Sequence, residues 1–225
     1  MLAIRADEPF GALPWIAAFA ERCRSSREYQ GDGWGVAWRD GSAWRRRRSV
    51  RPIWDDVPVS LPRSHVFLVH ARSAFRNEGV VERNNMPFLD GEVAFAFNGE
   101  LRGVRLAVPG DTGAAKLLHL FGRFRGSAGG DGLAALARLD SVVTARTDYV
   151  RALNVIASDG HELWVNAHHS EDPAYFTMVR ADVDTGNGTS ATLIASEPLR
   201  LAEISPTWRT IPNRSSHAMR EAVPC

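Results

Sequence analysis

The sequence predicts an α+β fold in which antiparallel sheets pack together with helices outside. Apolar stretches with strand character occupy both ends of the chain, with two helical segments between them. This order differs from the strict strand–helix alternation of a parallel sheet. In addition, Asp159-Gly160 separates two strand-like stretches, and this dipeptide is typical of an antiparallel hairpin. With 225 residues, 44% of them hydrophobic, the chain is expected to form one domain, residues 1–225.

The chain opens with a short apolar strand, Leu2 to Ile4, followed by a helix predicted from Pro14 to about Arg27. Proline is favoured at the start of a helix because its missing N–H would have no partner there. The apolar face of this helix is formed by residues at helical spacing, namely Ile16, Phe19, Ala20 and Cys23. Val66 to Val69 is a further strand.

Between these segments, Trp34, Val36 and Trp38 alternate as in a strand, and Trp44 begins a second strand. The arginine run Arg45 to Arg48 is either a phosphate-binding patch or the solvated end of this hairpin, and the alternation favours the hairpin. Gly31-Asp32-Gly33-Trp34-Gly35 predicts a backbone that turns sharply or approaches another group closely. Its spacing does not fit a nucleotide-binding P-loop.

The stretch Val93 to Leu101, V-A-F-A-F-N-G-E-L, predicts a strand that is apolar and buried on both faces. We expect this strand to end at Asn98-Gly99. That pair has two interpretations. It forms a tight hairpin turn, or the Asn98 amide and the Gly99 N–H are donors of an oxyanion hole.

The second half of the chain is predicted to contain two helices and then strands. Asp111 or Thr112 caps the first helix, which extends through Phe121. The remaining segments are a loop at Gly126–Gly132, a helix from Leu133 to Thr144, and strands at Leu153–Ala157, His161–Val165 and Thr192–Ser196.

Two charged residues have alternative interpretations. Arg72 directly follows a buried strand, so its guanidinium either binds a carboxylate or phosphate or forms an internal salt bridge. Asp111 is either a helix cap or a carboxylate that faces the ammonium group of a ligand.

Composition excludes several classes of function. The net charge of +1 gives no bulk attraction to nucleic acid or to a membrane. The N-terminal residues are not expected to be a signal peptide, and no apolar segment has the length of a membrane span. Cys23 and Cys225 are the only cysteines, which predicts no disulfide and fits a reducing cytoplasm. His168, His169, Glu171 and Asp172 are interpreted as a solvated loop and not as a metal site.

Several motifs occur in a fixed order along nearly the whole chain: G-D-G-W-G-V-A-W from Gly31, H-A-R-S-A-F from His70, N-N-M-P-F from Asn84, F-N-G-E-L from Phe97, G-D-T at Gly110–Thr112, and A-S-E-P-L from Ala195. On these motifs the chain resembles a stand-alone class II glutamine amidotransferase of the N-terminal-nucleophile hydrolase superfamily. The resemblance implies a four-layer αββα sandwich of two antiparallel sheets flanked by helices, with glutamine bound in a cleft between the sheets.

The resemblance also implies roles for individual residues. Arg72 would bind the α-carboxylate of the substrate, and Asp111 its α-ammonium group. Asn98 and Gly99 would form the oxyanion hole. Parts of the substrate beyond glutamine would be bound near Trp34, Phe75 and Gly126–Gly132. The substrate would be glutamine or another γ-glutamyl small molecule, no cofactor is implied, and a synthase partner would accept the ammonia.

The chain departs from this family at its start. The nucleophile of the family is an N-terminal cysteine whose own α-amine is the base, whereas this chain begins Met1-Leu2-Ala3-Ile4. A thioether has no proton to lose, and neither Cys23 nor Cys225 supplies both a thiol and an α-amine. Either the true start lies upstream, with the cysteine just before Met1, or the chain is a pseudoenzyme that retains a glutamine pocket for binding or for docking a partner. We favour the first explanation, because a decaying pocket should lose its costly buried charges early.

Overall fold

The structure is a computed structural model that describes residues 1–74, 78–184, 189–201 and 205–219. The chain divides into two units, Met1–Pro87 with Val179–Thr210 and Phe88–Met178 with Ile211–Cys225. Each unit contains one antiparallel sheet. None of the helices in the described part of the chain has the length and apolar character that a membrane crossing requires.

The strands in chain order are β1 (Leu2–Phe10), β2 (Trp34–Asp40), β3 (Ala43–Ser49), β4 (Ser64–Ala71), β5 (Phe88–Asp90), β6 (Val93–Val104), β7 (Thr147–Ser158), β8 (Leu163–Ala167), β9 (Val179–Asp184), β10 (Ser190–Ala195), β11 (Arg209–Thr210) and β12 (Ser215–Met219). The α-helices are α1 (Leu13–Arg24), α2 (Gly113–Ser127), α3 (Gly132–Ala145) and α4 (Pro173–Phe176). The predicted fold class, α+β with two antiparallel sheets and helices, is therefore confirmed.

The sheet of the first unit has seven strands in the order β11-β9-β10-β1-β4-β2-β3. Strand β1 lies between β10 and β4, and Leu2 is opposite both Ala195 and Val69. The predicted strand Leu2 to Ile4 is thus the start of a longer one that continues to Phe10. The first residues of the chain consequently lie inside the sheet and not at its edge.

Helix α1 covers the core of this unit with the apolar face that its sequence predicts. Its buried residues, Trp15, Ile16, Phe19, Ala20 and Cys23, join one apolar cluster with strand residues such as Ile4, Trp34 and Phe67. The helix ends at Arg24, three residues before the predicted end near Arg27. Two arginines, Arg22 and Arg24, lie in its last turn, where cations interact favourably with the helix dipole.

The sheet of the second unit has five strands in the order β12-β8-β7-β6-β5. Its longest pair joins β6 to β7, in which Asn98 is opposite Asn154 and Gly99 is opposite Leu153. The prediction that the strand ends at Asn98-Gly99 is therefore wrong, and the hairpin turn, one of the two interpretations of this pair, is not formed. The strand continues to Val104, and its irregularity lies further on, between Glu100 and Leu101. Cross-strand pairing with β7 overrides the local turn preference.

Helices α2 and α3 begin at side-chain caps. Thr112 Oγ1 accepts a hydrogen bond from the Ala115 N–H at 3.2 Å, and Asp131 Oδ1 accepts one from the Ala134 N–H at 3.0 Å. Of the two predicted caps for α2, Thr112 is therefore the one used. Helix α2 extends through Ser127, so the connection to α3 is shorter than the predicted loop Gly126–Gly132.

Gly132, the first residue of α3, packs directly on a buried aromatic ring. A Cβ atom at this position would lie 2.2 Å from the indole of Trp164. The same indole lies 6.0 Å, between ring centroids, from Phe121, which is 6.0 Å from Phe95. This aromatic row connects helix α2 to the sheet, and glycine at the start of α3 lets that helix approach it.

Two other predictions are corrected. Arg45 to Arg48 form part of strand β3 itself, whereas the hairpin turn lies at Gly41-Ser42. His168 and His169 are buried, with 3% and 9% exposure, and are not in a solvated loop. In the described residues no group of three or more His, Cys, Asp or Glu side chains could hold a metal ion.

Candidate active site

The candidate residues are distributed over both units. Arg72 and Trp34 belong to the first unit, and Asn98, Gly99 and Asp111 belong to the second. Phe75, also predicted to contact substrate, lies outside the described residues, as does Cys225.

Arg72 directly follows β4, and its backbone continues the pairing of that strand. The Arg72 N–H donates to the Gly33 carbonyl at 2.8 Å, and its own carbonyl accepts from the Asp32 N–H at 3.0 Å. The guanidinium donates to two backbone carbonyls, from Nη1 to Gly79 at 2.7 Å and from Nη2 to Glu78 at 3.1 Å. Neutral carbonyl groups thus orient the side chain, and among the described residues its charge has no counter-ion at ion-pair distance.

The internal salt bridge proposed as the alternative for Arg72 is not found in the described part of the chain. Burial lowers the pKa of Arg72, and the nearby charge of Asp32 partly opposes this effect. Asp32 itself does not contact the guanidinium at ion-pair distance. Its Oδ2 accepts a hydrogen bond from the Ala74 N–H at 2.7 Å. Arg72 is therefore a positioned cation that can still bind an anionic group.

Asp32 is a residue that the sequence reasoning missed. The G-D-G motif was interpreted through its glycines alone. Its aspartate joins two segments of the first unit, because its N–H donates to the Arg72 carbonyl and its carboxylate accepts from the Ala74 N–H. The signal was present in the motif, because an aspartate between glycines often fixes a loop by side-chain bonds to backbone N–H groups.

Trp34 is fully buried in the core of the first unit. Its indole Nε1 donates to Asp56 Oδ2 at 3.1 Å, and the guanidinium of Arg47 lies 5.6 Å from its ring centroid. These contacts use the only donor of the side chain and one face of its ring. They support a structural role for Trp34 in place of the predicted substrate contact.

The α-amine of Met1 is buried beside a serine from the A-S-E-P-L motif. It donates to Ser196 Oγ at 3.1 Å, and the Met1 carbonyl accepts from the Ser196 N–H at 3.0 Å. Burial lowers the pKa of this amine from 8.0 to about 6, and the charge of Cys23 opposes this in part. An amine with such a pKa is largely unprotonated at pH 7 and can act as a base.

The same region holds the one cysteine described in this structure. Cys23 lies on the buried face of α1 and is unpaired. Burial raises the pKa of its thiol to about 12, although the N-terminal amine and Arg22 act in the opposite direction. The thiol is therefore protonated at neutral pH and is a poor nucleophile. The prediction that Cys23 cannot replace an N-terminal cysteine agrees with this environment.

Asn98 and Gly99 occupy the middle of β6. A Cβ atom at Gly99 would lie 2.0 Å from the carbonyl oxygen of Ala152, so the approach of β7 alone requires glycine there. Asn98 is partly exposed, and its side-chain amide has no hydrogen-bond partner among the described residues. The amide donors of Asn98 are consequently available, and its assignment to an oxyanion hole stays a prediction.

Asp111 is exposed in the segment before α2. Because Thr112 caps that helix, the carboxylate of Asp111 is not used as a cap. Within the described residues it forms no hydrogen bond and no ion pair. The carboxylate is consequently available, and its role in binding an ammonium group stays a prediction.

Comparison with models of known protein families gives no match. A curated relative, the γ-glutamyl-hercynylcysteine sulfoxide hydrolase of Mycobacterium tuberculosis, is 31% identical over 163 residues. The alignment covers 70% of this chain and 66% of that protein, so the chain spans slightly less than two thirds of its relative.

Solved structures match the fold over almost the whole chain. A glutamine aminotransferase class-II domain protein from Silicibacter pomeroyi has a TM-score of 0.63 and 20% identity, covering 98% of this chain and 93% of its own. A predicted glutamine amidotransferase from Pseudomonas aeruginosa has a TM-score of 0.60 and 19% identity, covering 96% and 95%. The glutamine phosphoribosylpyrophosphate amidotransferase of Bacillus subtilis has a TM-score of 0.60 and 15% identity, with coverage of 99% and 49%.

Proposed function

We propose that the chain belongs to the N-terminal-nucleophile hydrolase superfamily and hydrolyses the side-chain amide of glutamine or of another γ-glutamyl compound, because its fold is similar to that of class II glutamine amidotransferase domains. The observation that supports this most directly is Arg72, a positioned guanidinium whose charge has no counter-ion in the described residues. The relative that hydrolyses a γ-glutamyl compound supports the same substrate class. We also propose that residues 1–225 act as one functional domain.

In this proposal the two charges of the γ-glutamyl group are bound by opposite charges of the protein. Arg72 binds the α-carboxylate through the planar fork of its guanidinium. Asp111 binds the α-ammonium group, since its carboxylate is exposed and is not used as a helix cap. The Asn98 amide and the Gly99 N–H donate to the oxygen that becomes negative during the reaction.

The chemical step requires a thiol that the described residues do not supply, and we propose that a cysteine just before Met1 supplies it. The free α-amine of that cysteine removes the thiol proton, and the thiolate attacks the side-chain carbonyl carbon. The C–N bond then breaks as the protonated amine donates its proton to the leaving nitrogen. Water then hydrolyses the thioester, which releases glutamate and regenerates the free thiol. A reducing, cytoplasmic location is part of this proposal, because the thiolate must not be oxidised.

A second candidate function applies to a form of the protein that begins at Met1. The α-amine of Met1 is buried against Ser196, but the Met1 side chain is a thioether, and Cys23 is protonated at neutral pH. A chain with this N-terminus would bind a γ-glutamyl group without hydrolysing it. Such a protein would act as a regulatory or partner-docking module, and a synthase that uses ammonia is the partner proposed for the active form.

The experiment compares two chains. One chain begins at Met1. The other also includes the residues encoded upstream, so that after removal of the initiator methionine its first residue is the cysteine. Both are incubated with glutamine and with γ-glutamyl dipeptides, and released glutamate is measured. The hydrolase proposal expects activity in the longer chain alone, abolished when its cysteine is replaced by alanine.

Two outcomes contradict the hydrolase proposal. The first is that the upstream DNA encodes no cysteine in frame. The second is that the longer chain releases no glutamate from any of these compounds. Calorimetric titration of the Met1 chain with glutamine then decides between the remaining possibilities. Binding supports the regulatory module, and the lack of binding by either chain contradicts both functions.

A further inference from the structure

Strand β3 concentrates positive charge at one edge of the first sheet. It carries four consecutive arginines, Arg45 to Arg48, in a chain whose net charge is only +1. The first three of these residues are exposed and the fourth is partly exposed. The proposed hydrolase chemistry does not use them.

The four side chains are divided between the two faces of the sheet. Successive residues of a strand point to opposite faces, so Arg45 and Arg47 share one face. On that face Arg45 Nε lies 3.4 Å from Asp40 Oδ2, and Arg47 Nη2 lies 3.9 Å from Asp56 Oδ1. The Arg45–Asp40 pair is exposed on both sides, and such pairs are weak and exchange easily with other anions, whereas Asp56 is mostly buried.

The opposite face carries Arg46 and Arg48, and no side chain of the described residues forms an ion pair with either of them. Arg46 has no hydrogen bond or ion pair among the described residues. Arg48 donates from Nη1 to the Arg83 carbonyl at 3.2 Å, which is a neutral acceptor. Burial and then the charge of Arg46 lower the pKa of Arg48, and the charge of Glu82 opposes them in part. An added anion would therefore relieve repulsion on this face.

The backbone of β3 is also available for pairing along one side. In the part of the chain that the structure describes, the sheet neighbour of β3 is β2 alone, in a hairpin that extends from Asp40–Ala43 to Trp34–Ser49. In an antiparallel pair, alternate residues direct their N–H and C=O groups away from the partner strand. Such an edge can accept a further strand.

We propose that β3 is a docking strand for an acidic polypeptide segment of another protein, which pairs with it as an added strand. Side chains of the added strand alternate between the two faces, as those of Arg45 to Arg48 do. Aspartate or glutamate at successive positions would thus lie directly across from each arginine. A nucleic acid would contact the arginines on one face of the sheet only. Because the arginines of β3 lie on both faces, a peptide strand fits their arrangement better.

Binding to β3 is tested with a fluorescently labelled peptide that carries a run of glutamates as long as Arg45–Arg48, flanked by threonine and valine. Its anisotropy is titrated with the full chain at low and at physiological ionic strength. A second peptide has the same charge and a proline within the run, which removes a backbone donor and disfavours strand pairing. We expect the proline peptide to bind about tenfold more weakly.

The variant Arg46→Glu reverses one charge whose side chain has no partner in the described residues, so the fold is retained. We expect it to weaken binding of the glutamate peptide about tenfold, because attraction becomes repulsion between directly opposed side chains. The matched control is Arg123→Glu, the same change at an exposed position of α2. It should alter binding by less than about twofold, because Arg123 is not part of strand β3 and so does not lie across from a residue of the added strand.

Any of four results overturns the proposal. The glutamate peptide does not bind at low ionic strength, in which case the arginines only protect a sheet edge. The proline peptide binds equally well, or a single-stranded oligonucleotide of equal charge binds as tightly, in which case β3 is a general polyanion surface. Finally, Arg46→Glu and Arg123→Glu weaken binding equally. None of these measurements depends on the N-terminal residue, so they are independent of the hydrolase proposal.

Discussion

His168 Nδ1 lies 2.6 Å from Asp140 Oδ1 in the second unit, and this contact joins the residue after β8 to helix α3. The same carboxylate oxygen accepts a hydrogen bond from Asn166 Nδ2 at 3.1 Å. Asn166 in turn donates to the Leu153 carbonyl at 2.8 Å and accepts from Ser216 Oγ at 2.7 Å. Asp140 thus connects α3 to β8 and, through Asn166, to β7 and β12.

The replacement Asp140→Ala should lower the free energy of unfolding by about 2–3 kcal/mol, because it leaves the buried imidazole and an amide N–H group without their acceptor. Urea denaturation measures the loss. The double variant Asp140→Ala/His168→Ala should lose less than the sum of the two single variants, since the paired groups are removed together. The control Asp111→Ala, at an exposed carboxylate, should be near neutral. Equal losses for Asp140→Ala and Asp111→Ala would contradict the structural role of this network.

Stability should depend on pH through the buried α-amine of Met1. Its pKa falls from 8.0 in the unfolded chain to about 6 in the folded one. Between these values the unfolded chain binds a proton that the folded chain does not, so the free energy of unfolding rises with increasing pH across this window. The full rise is about 3 kcal/mol.

Urea titrations of a chain that begins at Met1, repeated at several pH values from 6 to 8, measure this rise. The control is the same chain with an acetylated α-amine, which has no proton to lose at this group. Burial lowers the pKa of His169 and gives a change of the same sign, but it is common to both chains and cancels in their difference. Identical slopes for the two chains would show that the amine is not buried as described.

The close approach of two strands makes Gly99 intolerant of any side chain. In Gly99→Ala, the new Cβ atom would lie 2.0 Å from the Ala152 carbonyl oxygen, so β6 and β7 must separate locally. We expect a loss of about 2–3 kcal/mol in the free energy of unfolding. The matched control is Gly126→Ala in α2, where no atom lies within 4 Å of the new Cβ. The control should be neutral or gain up to about 1 kcal/mol. Similar effects of both changes would be inconsistent with the strand register.

Ligand binding tests the role proposed for Arg72. Arg72→Gln should weaken binding of glutamine about tenfold or more, because the α-carboxylate loses a charged partner. Arg72→Lys should recover only part of the affinity, since an ammonium cannot donate in the same fork. The measurement is calorimetric titration, with N-terminally blocked glutamine methyl ester as a ligand that lacks both charges. The control Arg63→Gln removes another guanidinium that donates to a backbone carbonyl, that of Pro9 at 2.7 Å. A loss of affinity in both variants alike would refute the specific role.

Local patterns in the sequence determined most of the elements. The apolar spacing of Ile16, Phe19 and Cys23 predicted α1, and Thr112 was one of two predicted caps of α2. These features depend on residues a few positions apart, whose interactions are the same in any fold. The ordered motifs also predicted the fold that the solved structures confirm.

The other features were decided by the tertiary structure alone, because they depend on contacts between residues that are distant in the chain. Asn98-Gly99 favours a turn locally, but its pairing with Asn154 and Leu153 keeps it within a strand. Trp34 is held in the core by Asp56, and the acceptor of His168 is Asp140, 28 positions earlier. Free energy from cross-strand pairing and burial exceeds such local preferences, and a sequence pattern does not reveal which distant residues supply it.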